Sequence, residues 1–221
     1  NSVSVTTAQL TAYVADFLTN ARESGFAIPS DMHARALDYL RTFAGETITS
    51  HDMAQTVAFA TYVITRNNFV TTTYINNFTT YADEHMKKWQ KTVSGTYIAT
   101  AYQLMHQTDM ANTLISDYTT DDTAPGDATY MYLSNKYFDT PPITPSNAIM
   151  KYINDADYNS YTSALLIAAM TTHANDEKLP NISVKSGDTP ITFDTNTDNT
   201  IITLDAATDK LTIECDTCSN D

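Results

Sequence analysis

Apolar positions recur every three to four residues through most of this chain, and the first forty-odd residues show the pattern in full. Leu10, Tyr13, Val14, Phe17, Leu18 and Ala21 fall on one face of a helix. Thr6 or Thr7 can cap its start, and Gly25 suits the left-handed residue after its end. Phe26-Ala27-Ile28-Pro29 is then a short connection, with Ser30 or Asp31 capping a second helix on which Met32, Ala36, Tyr39, Leu40 and Phe43 repeat the spacing. Two amphipathic helices joined this closely must lie antiparallel, as an αα-hairpin.

The pattern repeats beyond Gly45. Ser50 can cap a third helix over 51–66, where Met53, Val57, Ala60 and Ile64 line one face while Phe59, Tyr62 and Val63 make the opposite side apolar too, so both sides require burial. A fourth helix is expected over 72–89, a fifth over 94–106 and a sixth over 109–118, joined by short loops. The turn-rich stretch TTDDTAPG, 119–126, is the longest break. Helices then resume over 127–137, over 145–154 with Thr144 as cap and proline in the first turn, and over 159–173. The last contains ALLIAAM, an apolar block that reads as an inner helix needing cover on all sides.

After Leu179-Pro180 the period changes from about 3.6 to about 2. ISVKS, PITFD, TIITL and KLTIEC are short β-branched runs between turn residues, which predicts four strands in antiparallel hairpins. The expected organisation is a helical-hairpin domain over 1–175 and a short β segment over 180–221 packed on it.

Length, charge and cysteine usage narrow the function classes. With 221 residues, 42% of them apolar, the chain can bury a real core as one domain or one domain with an appendage. No apolar run is long enough to span a bilayer, and the start lacks a basic and apolar leader, as expected of a processed or excised segment. The net charge of −14 is concentrated late: 119–221 hold 5 Lys and Arg against 16 Asp and Glu. That field disfavours nucleic acid and anionic lipid as partners.

Candidate chemistry is sparse. His33, His51, His85, His106 and His173 are scattered, without metal-ligand or catalytic spacing, and read as surface or helix-end residues. Five unclustered glycines give no phosphate loop. No catalytic residue and no cofactor are expected. Cys215 and Cys218 in CDTC have no further ligands nearby, so a local disulfide or two idle thiols is the expectation rather than a zinc site. Asp194, Asn196, Asp198 and Asp205 fit ligand positions of a calcium loop, with Asp for the usual final Glu and Asn199 for the usual Gly. The flanking runs look extended where an EF-hand needs helices, so an Asn/Asp-rich hairpin turn is the competing reading.

Several segments resemble the thioester-containing helical domain of bacterial α2-macroglobulins. TAYVADFLTNARESGFAIPSDMHARALDYL, 11–40, is similar to a run in which one helix closes and the next opens. ATYVITRNN, 60–68, and YNSYTSALLIAAM, 158–170, resemble two further helices, the second of them closing the domain. SGTYIATAYQLMHQTDMANTLI, 94–115, resembles a helix, a tight Gly-Asp-type turn and another helix, with Gln107-Thr108-Asp109 in the place of the turn.

The resemblance implies a mainly α fold, a partial α/α-toroid of helical hairpins followed by a small antiparallel β unit. It implies a piece of a protease trap rather than an enzyme, in the periplasm or cell envelope, from a parent protein anchored to the membrane. Its partners would be the other macroglobulin domains of the parent chain and target proteases. The family's thioester loop, which joins a Cys thiol to a Gln side chain, lies N-terminal to the matching segment and does not occur in this sequence. A toroid-fold enzyme of the terpenoid-cyclase or polysaccharide-lyase type is one alternative, but Asp121-Asp122 and Asp155 to Asp157 fall at predicted helix ends rather than on buried faces. A helical-repeat binding module is the other, although most of the 14 tyrosines fall on packed faces.

Overall fold

A computed structural model describes residues 4–120, 122–139, 143–155, 158–176, 182–186, 189–191 and 211–215. It divides into two compact units, Asn1–His173 and Ala174–Asp221.

The first unit is built from helical hairpins. Among the described residues the helices are α1 (Val5–Glu23), α2 (Ser30–Ala44), α3 (His51–Arg66), α4 (Thr72–His85), α5 (Val93–Leu104), α6 (Thr108–Ser116), α7 (Ala124–Tyr137), α8 (Asn147–Asp155) and α9 (Ser160–Asp176), the last extending three residues into the second unit. Caps explain several of these boundaries. Ser50 Oγ accepts the Met53 amide at 3.2 Å, as its position before α3 predicts. Thr123 accepts the Gly126 amide at 3.3 Å, which starts α7 three residues earlier than the apolar pattern suggests. Ser146, not Thr144, caps α8, and Asn159 caps α9 by accepting the Thr162 amide at 2.9 Å. α1 and α2 begin after Ser4 and Pro29 with no side-chain cap, so Thr6, Thr7, Ser30 and Asp31 do not serve as caps.

The predicted fourth helix breaks early. α4 ends at His85, Lys88 takes a left-handed φ of 58°, and Trp89–Lys91 forms a 3-10 turn before α5. Gly95 makes that junction fit, because a Cβ there would overlap the Gln90 carbonyl.

Two predicted faces are corrected. On α1 the buried residues are Ala8, Ala12, Ala15, Leu18 and Thr19, while Leu10 and Phe17 are 64% and 69% exposed. The alanine face packs because small side chains let neighbouring helices approach closely, and of the large apolar stripe that periodicity selects Leu18 is buried and Tyr13 packs partly on the core. On α9 the ALLIAAM block is covered on one side only: Leu166 and Ala169 are buried, whereas Ile167 is 68% exposed. α3 is enclosed as its two apolar sides require, with 13 buried residues in 16.

α3 packs against α1, α2, α4 and α5, and α5 against α6 and α7. The even helices are amphipathic: α4 buries only Ile75, Phe78 and Ala82, and α6 only Ala111, Leu114 and Ile115. The core is one cluster, with Phe43, Leu40, Phe78, Tyr62 and Ile98 among its enclosed side chains. Each such side chain contributes about 1.5–3 kcal/mol by leaving water.

In the second unit, β1 (Ile182–Ser186), β2 (Thr189–Ile191) and β3 (Leu211–Cys215) form an antiparallel sheet in the order β2-β1-β3. Val184 pairs with Ile191 on one side and Ile213 on the other. The TIITL run lies outside the described residues.

Candidate functional site

Residues from the first turns of α3, α5, α7 and α9, together with Val5, Gln9 and Tyr13 of α1, surround a cavity of about 650 Å³. Residues from the last turns of α1, α3 and α7 meet in an ionic cluster away from it. Helices α1, α3 and α7 therefore run parallel, and α5 and α9 start on the same side.

Aromatic rings wall the cavity. Tyr13 lies 5.0 Å from Phe59 and 4.8 Å from Tyr161 between ring centroids, and Phe59 lies 4.9 Å from Tyr97. Burial raises the Tyr97 and Tyr161 phenols above their ordinary range, so both remain neutral hydrogen-bonding groups. Gln9, Asp52 and Gln55 stand exposed at the rim. Asp52 is the one ionisable carboxylate among the described lining residues, and no lysine or arginine joins it.

The ring contacts continue from Tyr97 to Tyr62 at 5.7 Å and from Tyr62 to Tyr137 at 6.3 Å. They end at Arg66, whose side chain is 2% exposed. Its guanidinium donates to Asp16 Oδ1 at 2.8 Å, to Glu23 Oε1 at 2.9 Å, to Asn20 Oδ1 at 2.6 Å and to the Tyr62 hydroxyl at 3.3 Å. Lys136 adds a contact to Glu23 at 3.2 Å and one to the Tyr132 hydroxyl at 3.0 Å. Burial raises the Asp16 carboxyl despite the attraction of Arg66. Burial opposes ionisation of Glu23 as well, but the hydrogen bond and charge of Arg66, with Lys136, outweigh it and hold that carboxyl below its ordinary value. Removing the buried Arg66 would cost about 3–5 kcal/mol, because the carboxylates it pairs with are stranded. This cluster ties α1, α3 and α7 together.

Three bacterial proteins are similar to this chain. An alpha-2-macroglobulin of Rickettsia conorii is 32% identical over 111 residues, 50% of this chain and 6% of its own length. An alpha-2-macroglobulin homolog of Yersinia pestis is 27% identical over 75% of this chain and 9% of its length, and an alpha-2-macroglobulin of Pasteurella multocida 23% identical over 80% and 11%. The chain belongs to the bacterial alpha-2-macroglobulin family. It spans about a tenth or less of the curated relatives it matches. No family model matches it, and no solved structure does.

In this macroglobulin segment the sequence-derived candidates are dispersed. Asp194, Asn196, Asp198 and Cys218 lie outside the described residues, as does Asp205, and of Cys215 only the backbone, at the end of β3, is described. Among the described residues no three His, Cys, Asp or Glu side chains gather as a metal site would require. His51 Nε2 lies 2.9 Å from the His85 carbonyl, which joins the start of α3 to the end of α4.

His33 departs from the surface reading. It is 4% exposed, with Nε2 3.0 Å from Thr19 Oγ1, and burial, then the charge of Arg22, lowers its pKa. It lines a smaller cavity of about 380 Å³ with Arg22, Asn67 and Phe69.

Arg66 and its partners escaped the sequence reading, yet their signal was present. Asp16, Asn20 and Glu23 recur at i, i+4 and i+7 on one helix, and Arg66 ends a helix apolar on both sides, where a buried cation requires partners.

Proposed function

We propose that this segment is part of the helical, thioester-type domain of a bacterial alpha-2-macroglobulin-like protease trap, and that it acts as scaffold without a nucleophile of its own. The similarity to macroglobulins over half to four-fifths of the chain carries this reading. Helices α1, α3, α5 and α7 around one cavity, each followed by another helix, are what a sector of an α/α-toroid requires. No described helix is long and apolar enough to cross a membrane.

In this reading the parent protein resides in the cell envelope, its other macroglobulin domains contact this one, and a protease that cleaves it becomes hindered. The helical unit supplies a stiff body that is displaced as a whole, a two-state change of interfaces rather than of internal packing.

The test uses the full-length parent protein mixed with an endoprotease. Cleavage of a large protein substrate should fall while cleavage of a short chromogenic peptide persists, and the 221-residue segment alone should alter neither. Equal rates on both substrates, with and without the full-length protein, would overturn the reading.

A further inference from the structure

We propose that the cavity at the N-terminal ends of the odd helices binds a neutral saccharide. The inference does not rest on the protease-trap reading; it follows from the cavity's size, charge and lining.

Its volume of about 650 Å³ lies within the range of small-molecule sites. Charged ligands are disfavoured in both directions. The starts of α3, α5 and α7 point the positive ends of their dipoles into the cavity, which opposes a cation. An anion would be favoured by those ends, but the chain has already used two of the three, leaving only the start of α5 uncapped. Ser50 and Thr123 cap α3 and α7, Asp52 and Asp127 stand in the first turns of those two helices, and no lysine or arginine lies among the described lining residues. A ligand without net charge remains.

The lining specifies more than neutrality. Tyr13 and Tyr161 meet edge-on at 66°, and Tyr161 is 41% exposed, so this wall offers ring surface to an apolar face of a ligand. The side-chain amides of Gln9 and Gln55, on α1 and α3, form no hydrogen bond to described residues and present donors and acceptors at the rim. A pyranose matches both, with C–H groups on its faces and hydroxyls around its edge. A purely apolar ligand would use the rings and leave the Gln9 and Gln55 amides unused.

Calorimetric titration of the full-length protein with maltotriose, cellotriose and tri-N-acetylchitotriose tests this, with trigalacturonate and chitosan trimer as charged counterparts. At least one neutral trimer should bind with a Kd of about 0.1–1 mM. Tyr161→Ala and Gln55→Ala should each weaken it by about fivefold or more. Phe17→Ser, on the exposed face of α1, should leave it unchanged. Gln55 is exposed, so its variant keeps the test valid if Tyr161→Ala fails to fold. No heat from any neutral trimer up to about 10 mM would overturn the proposal. So would tighter binding of a charged counterpart, or binding that ignores both cavity variants. Protease shielding is measured separately, so failure of one proposal leaves the other standing.

Discussion

Arg66 on α3 donates to Asp16 on α1 at 2.8 Å across a separation of 50 residues, and the same guanidinium holds Glu23 about two turns further along α1. One buried cation thus fixes the register between two helices. Arg66→Ala should lower unfolding stability by about 3–5 kcal/mol, since it strands the two carboxylates, and Arg66→Lys should recover little because an ammonium cannot make the same fan of bonds. Urea denaturation followed by circular dichroism measures both; full recovery by lysine would refute the geometry.

The two acids respond to pH in opposite senses. Glu23, with its folded pKa lowered, contributes stability that is present above its unfolded value near 4.5 and is lost as pH falls through the folded value. Asp16, with its folded pKa raised, penalises the folded state when ionised, a penalty relieved as pH falls toward 3.8. Glu23→Gln should therefore cost about 0.5–1 kcal/mol at neutral pH, discounted because this side chain is 40% exposed, and progressively less as pH falls through the lowered folded value. A cost that persists unchanged into acid would show that lost packing, not charge, is responsible.

Gly95→Ala should destabilise by about 1–3 kcal/mol, since its methyl group has to push the Gln90 carbonyl away and separate the 3-10 turn from α5. Gly25→Ala is a useful comparison: it has open space around it but a φ of +85°, so its cost is backbone strain alone. Thermal melts of the two variants distinguish steric from conformational glycine.

His106 carries a φ of 60° in the turn between α5 and α6. Replacing it by glycine should relieve about 1 kcal/mol of left-handed strain, partly offset by the freer unfolded chain. A rise in melting temperature for His106→Gly, with a smaller rise for His106→Asn, is the expected order. A fall in both would mean that the imidazole makes compensating contacts.

An alkaline titration should divide the tyrosines into two classes. Tyr62 and Tyr97 are held far above the ordinary phenol range by burial, so their absorbance change near 295 nm should appear only with unfolding. Early ionisation of either, traced by its Phe variant, would place water in the aromatic core.

The helical class was legible because α3 and α4 obey simple periodicity and strong punctuation: Ser50 before one, two apolar sides on the same helix, and Ile75, Phe78 and Ala82 at helical spacing on the next. α1 was misread because periodicity ranks residues by apolarity, whereas packing there ranks them by size, and three alanines outcompete Leu10 and Phe17 for the interface. The α4 break was missed because Met86 continues the apolar face while the backbone turns at Lys88, a residue with no turn signature. The cavity was invisible for a different reason. Tyr13, Phe59, Tyr97 and Tyr161 each look like ordinary core residues, and only the packing of their helices brings them to one place.

The run of rings from Tyr161 through Tyr13, Phe59, Tyr97 and Tyr62 to Tyr137 has a mechanical meaning. Successive rings meet tilted or edge-on, except for the stacked pair Tyr62 and Tyr97, so they interlock instead of sliding over one another. Side-chain contact alone thus joins the cavity mouth to the Arg66 cluster, across five helices and through no loop.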